Sequence, residues 1–86
     1  MTDAAILKGH LRHLPATARI SLAVRFGAGG SECGTWQDAG AVAGCSRENA
    51  RVVTKKALLV LQDKSGLENI EAIIPEMKLS WFVRGR

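Results

Sequence analysis

The chain has 86 residues, 47% of them hydrophobic, which suits one small packed domain, is too short for two, and excludes disorder. Aromatic residues make up only 5%, so the core must be aliphatic, and the apolar run "ALLVL" falls far short of the roughly 20 residues that cross a membrane. The net charge is +4 and the isoelectric point near 9.6, which favours an anionic partner, nucleic acid first.

The start "MTDAAILKGHLRHL" lacks the charged-then-apolar layout of a secretory leader, so a cytosolic protein is expected. The same stretch predicts a first helix over 3–13, capped by Thr2 or Asp3, with Ile6, Leu7, Leu11 and Leu14 apolar. Pro15 fits the first turn of a second helix, where its missing N–H costs nothing. Ile20, Leu22, Val24 and Phe26 form no single stripe, but Ala16, Ala23 and Arg25 favour helix over strand. Gly27 ends this helix and opens "GAGGSECG". That segment follows a helix and lacks the Gly-Lys-Ser/Thr ending of a phosphate loop, so it reads as a connector.

Thr35 opens "TWQD", a Thr-x-x-Asp capping box, and predicts a short third helix to about 43, stopped by Gly44. Ser46 caps a long fourth helix to about 64, whose buried stripe is expected to be Ala50, Val53, Ala57, Leu58 and Leu61. Ser65 and Gly66 break the chain before a fifth helix through 74, and Pro75 stops it. The rest, "EMKLSWFVRGR", has no assignable structure. The expected domain is therefore 1–75, with 76–86 a tail packed on it or on a partner. The fold class is all-α, a small bundle of four to five helices.

Charge is unevenly placed. Residues 1–46 hold four Lys or Arg against three acids, 65–86 hold three against three, and 47–64 hold five against two. The excess lies on the fourth helix, where Arg47, Arg51 and Lys55 recur every four residues and share one side. Gly40, Gly44 and Ala50 have the sizes and spacing of a helix-turn-helix, with the basic side opposite Ala50 and Val53. Cys33 and Cys45 are expected to be free thiols. A zinc set of His10, His13, Cys33 and Cys45 lacks the short Cys-x-x-Cys spacing, so no metal is expected. No paired carboxylates or nucleophile–base set point to an enzyme, and no cofactor, small-molecule ligand or membrane is expected.

Residues 14–62, "LPATARISLAVRFGAGGSECGTWQDAGAVAGCSRENARVVTKKALLVLQ", resemble region 4 of bacterial primary sigma factors without a gap. The resemblance is carried by Leu14, the Arg-Phe-Gly at 25–27, Thr35, Gly40, the Ser-Arg-Glu at 46–48, Arg51 and the Lys-Ala-Leu at 56–58. That domain reads the promoter −35 element and docks on the β-flap of RNA polymerase. The resemblance implies base contacts from Arg47 and Glu48, and base or backbone contacts from Arg51 and Lys56. Thr35, Ser46, Asn49, Val52 and Lys55 complete the implied DNA face, and Leu22 and Phe26 the implied polymerase face. Asn49 stands where the family usually has Arg, and Val52 where it has a base-reading Gln, so a non-consensus site is implied.

Leu59 and Val60 replace a basic pair usual in the family. Either the tail, with Trp81 and Phe82, folds back over them, or they form a docking surface. No room exists for a −10-reading domain, so a stand-alone transcription factor at the nucleoid is expected. It would bind promoter DNA and bacterial RNA polymerase together, with a second sigma-like or DNA-binding protein supplying the rest, as in phage-derived or gene-transfer-agent regulators. Two alternatives are a polymerase-binding protein that reads no bases and a small dimeric helix-turn-helix repressor.

Overall fold

Side-chain caps from Thr2, Thr35 and Ser46 start three helices, and left-handed Gly27, Gly44 and Gly66 stop three. The structure, a computed structural model, describes residues 2–84. Among them the chain forms six α-helices and no strands: α1 (Asp3–His10), α2 (Ala16–Phe26), α3 (Trp36–Ala43), α4 (Arg47–Ser65), α5 (Ile70–Ile73) and α6 (Leu79–Arg84). Thr2 Oγ1 accepts the Ala5 N–H at 3.2 Å to begin α1. The first helix ends at His10 rather than 13, tightening into a 3₁₀ turn over Leu11–His13. Pro15 is the reason: it forbids helical backbone at Leu14, which is extended, and it precedes the first turn of α2 instead of lying within it.

Thr35 and Asp38 close the expected capping box on α3, with Thr35 Oγ1 accepting from the Asp38 N–H at 3.1 Å and Asp38 Oδ2 from the Thr35 N–H at 3.0 Å. Gly44 ends α3 in the left-handed region, at φ 79° and ψ 31°. Ser46 Oγ then accepts the Asn49 N–H at 3.1 Å and starts α4, which at ~1.5 Å per residue is about 28 Å long. Pro75 does not end α5 outright but carries it into a 3₁₀ turn over Ile74–Glu76.

The core is aliphatic, built from Leu7, Leu11, Leu14, Leu22, Leu61, Ile70, Ile74 and Met77, with Phe82 as its aromatic member. The buried line of α4 is Ala50, Thr54, Ala57 and Leu61, while Val53 and Leu58 flank it half-buried. Thr54 replaces them because Ser21 of α2 faces it. The two hydroxyls lie 2.7 Å apart, and Ser21 Oγ also donates to the Ala50 carbonyl at 3.3 Å. Both polar groups are thereby satisfied inside an apolar contact between α2 and α4.

The stretch without assignable structure contains α6, which packs chiefly on α2; its last two residues, 85 and 86, lie outside the described residues. Arg19 of α2 is buried and donates Nε–H to the Phe82 carbonyl at 3.1 Å and Nη1–H to the Leu14 carbonyl. One guanidinium thus joins α6 to the turn before α2.

Two stability outcomes follow from these contacts. A methyl added at Gly40 would meet the Cys45 carbonyl oxygen at 2.7 Å and Ser46 backbone atoms at 3.0 Å. Gly40→Ala should cost about 1–3 kcal/mol, read as a lower melting temperature at about 4–8 °C per kcal/mol. Ser21→Ala should cost about 1–3 kcal/mol by leaving the Thr54 hydroxyl unpaired. Chemical denaturation should then find Ser21→Ala/Thr54→Val less destabilised than the sum of the two single variants.

Candidate nucleic-acid interface

The site is built by α3, the turn Gly44–Ser46, and the first three turns of α4. The Cys45 N–H donates to the Gly40 carbonyl at 2.8 Å, which folds the turn back onto α3. With no side chain at Gly40, the turn backbone lies directly against α3. Ala39, Gly40 and Ala50 are buried where the two helices meet. The opposite side of α4 therefore faces outward, and Arg47, Glu48, Asn49, Val52, Lys55 and Lys56 are all exposed there.

The expected stripe of three cations is modified by an ion pair. Arg51 binds Glu48 bidentately, with Nη2–Oε1 at 2.5 Å and Nε–Oε2 at 3.3 Å. The hydrogen bonds from Arg51, then its charge, and then the charges of Arg47 and Lys55 hold the Glu48 carboxyl below the usual carboxylate range. Glu48 is thus a fixed anionic acceptor, and its outward lone pairs remain open to an amine. Arg47 and Lys55 are left as the cations of the stripe outside that pair. The i, i+3 spacing of Glu48 and Arg51 in the sequence carried this signal.

The two capping hydroxyls also belong to this face. Thr35 Oγ1 and Ser46 Oγ accept backbone N–H groups, so each keeps its own O–H to donate outward. Thr35, Trp36 and Gln37 share with Arg47 an open recess of about 300 Å3 that brings the starts of α3 and α4 together. Trp36 is held by Arg25, whose guanidinium lies 4.8 Å from the ring centroid and donates to the Gly34 carbonyl at 3.1 Å. Arg25 was not anticipated as a support for this recess. Its partner lies eleven residues away, outside any helical spacing.

Other expected positions fall elsewhere. Leu22 is wholly buried in the core, which corrects its placing on a polymerase face; Phe26, half-buried, is the member of that pair with surface to offer. Of the four residues assigned either to tail packing or to a docking surface, Phe82 is buried and Trp81 is half-buried, with the Lys8 Nζ 4.7 Å above its ring. Leu59 remains 66% exposed, so the described part of the tail does not cover it, while Val60 packs at the margin of the core.

Cys33 and Cys45 are unpaired thiols, and among the described residues no three His, Cys, Asp or Glu side chains converge as a metal site. No described helix is long and apolar enough to cross a membrane. No family model matches the chain, and neither a curated protein nor a solved structure does.

The ion pair has a readable pH signature. Because the Glu48 pKa is lowered, its bond to Arg51 is fully present above the ordinary carboxylate value and is lost as pH falls through the lowered one. Carboxyl-carbon NMR should find Glu48 titrating below the ordinary carboxylate range. In Arg51→Ala its midpoint should move up toward that range.

Proposed function

We propose that this chain is a sigma region 4-like transcription factor that lays α4 in the major groove of promoter DNA and docks on bacterial RNA polymerase through its β-flap. The observation that carries the reading is the outward face of α4, presented by a turn packed tightly on Gly40, with Arg47 and Glu48 in the first turn. A recognition helix needs this disposition, an apolar side toward the protein and hydrogen-bonding groups near its N-terminus toward base edges. Arg47 can grip guanine bidentately, Glu48 can accept from a cytosine amine, and Val52 can touch a thymine methyl. Lys55, Lys56 and the capping hydroxyls of Thr35 and Ser46 suit phosphate oxygens, which position the helix without reading sequence.

On this reading the isolated chain binds DNA weakly and with strong salt dependence. Nonspecific modules of this kind have dissociation constants around 10⁻⁴–10⁻⁶ M at physiological salt. Polymerase would tether the chain beside its site and raise its effective concentration there. Half-buried Phe26, and not buried Leu22, is the residue available to an apolar flap helix. A second sigma-like protein would supply promoter melting.

The test is a titration of the chain against its promoter near physiological salt, with and without polymerase and with a polymerase lacking the flap tip. Selective binding should appear only with the intact enzyme. Arg47→Ala should then weaken it by about 1–3 kcal/mol, relaxing the preference at one base pair with the fold unchanged. Nanomolar selective binding by the chain alone would instead indicate a dimeric repressor. Polymerase binding that Arg47→Ala does not alter at the promoter would indicate a protein that occupies the flap without reading bases.

A further inference from the structure

A cleft of about 170 Å3 opens where the chain enters α2 alongside the middle of α4. Its walls are Leu14, Pro15, Ala18, Val53, Ala57 and Val60. Ala18 and Ala57 are buried and small, and it is their short side chains that leave the space. The cleft is smaller than the roughly 300–1,000 Å3 of small-molecule pockets. It matches the other common occupant of an apolar hollow, one anchoring side chain from a partner protein.

Charge narrows the choice of partner. Lys56 and His13 stand at the mouth, and no carboxylate lines the cleft. Two further cations stand close by: Arg12 adjoins His13 in the chain, and Lys64 lies one helical turn beyond Val60 on α4. A cationic rim around an apolar hollow complements an apolar residue set among acids. Nucleic acid satisfies the rim but offers the hollow no side chain of that size.

The geometry points to this cleft as the docking site for an acidic protein segment that inserts one leucine- or phenylalanine-sized side chain between α2 and α4. The segment is a helix or an extended strand rich in Asp and Glu, and its acids meet Lys56, Lys64 and Arg12 around the buried anchor. The inference does not rest on base reading by α4. The cleft reaches α4 at Val53, six residues or about 9 Å along the helix from Arg47. A segment here shares Lys56 with the candidate DNA face but leaves Arg47 and Glu48 in the first turn clear.

The experiment uses the full chain and three fluorescein-labelled synthetic peptides of about 14 residues. The first is Glu-rich with central Leu and Phe; the second has both replaced by Ser; the third has every Glu replaced by Lys. Anisotropy should show the first peptide binding at least tenfold more tightly than either of the others. Amide NMR shifts should centre on Ala18, Val53 and Val60. Val60→Glu and the exposed Lys64→Glu should each weaken the first peptide at least fivefold with helical circular dichroism unchanged. Equal binding of the three peptides, no binding at millimolar concentration, shifts centred on residues 47–51, or native affinity in a folded Lys64→Glu would each overturn the proposal. Promoter titration of the same samples separates its failure from that of the DNA reading.

Discussion

The closest backbone approach in the candidate site is the turn after α3 lying against Gly40, and the aim of the outer face of α4 depends on it. The Gly40 carbonyl receives two N–H groups, from Gly44 and from Cys45, while its missing side chain lets the turn sit directly on α3. A larger residue would push α4 away and rotate Arg47 and Glu48 with it. The Ser21–Thr54 pair fixes the second point of that helix, two turns further on. Two fixed points along a rigid rod set its direction, and the exposed side chains inherit that precision from buried contacts they never touch.

The buried cation works differently. Arg19 has no carboxylate partner among its hydrogen bonds and is satisfied by backbone carbonyls alone. One of these belongs to α6, so the final helix is held by polar bonding as well as by Phe82 in the core. Apolar packing gives affinity for the core, and the guanidinium adds direction, since only one position of α6 brings the carbonyl into reach.

How much of this was legible in the sequence follows from the range of each interaction. Thr2, Thr35 and Ser46 as caps, and Gly27 and Gly44 as stops, act within four residues of themselves, and all are found where the sequence places them. Ala50, Ala57 and Leu61 were readable from helical period alone. Thr54 was not, because a threonine belongs in an apolar stripe only if a distant hydroxyl such as Ser21 meets it. Burial of Leu22, the Arg25–Trp36 stack and the formation of α6 are likewise set by partners remote in sequence. On the candidate face the residue types were legible. The ion pair that takes Arg51 out of the cationic stripe was a local signal outweighed by the regular spacing of the cations.

The Arg19–Phe82 bond has a consequence for the length of the chain. Its acceptor is a carbonyl, which every residue possesses, so the bond itself is indifferent to which side chain stands at that place. It is not indifferent to counting. Adding or dropping one residue between Pro75 and Phe82 would turn α6 by about 100° and carry the carbonyl away from the guanidinium, leaving the buried charge with one of its two acceptors, the Leu14 carbonyl. This end of the molecule therefore tolerates changes of spelling better than changes of length.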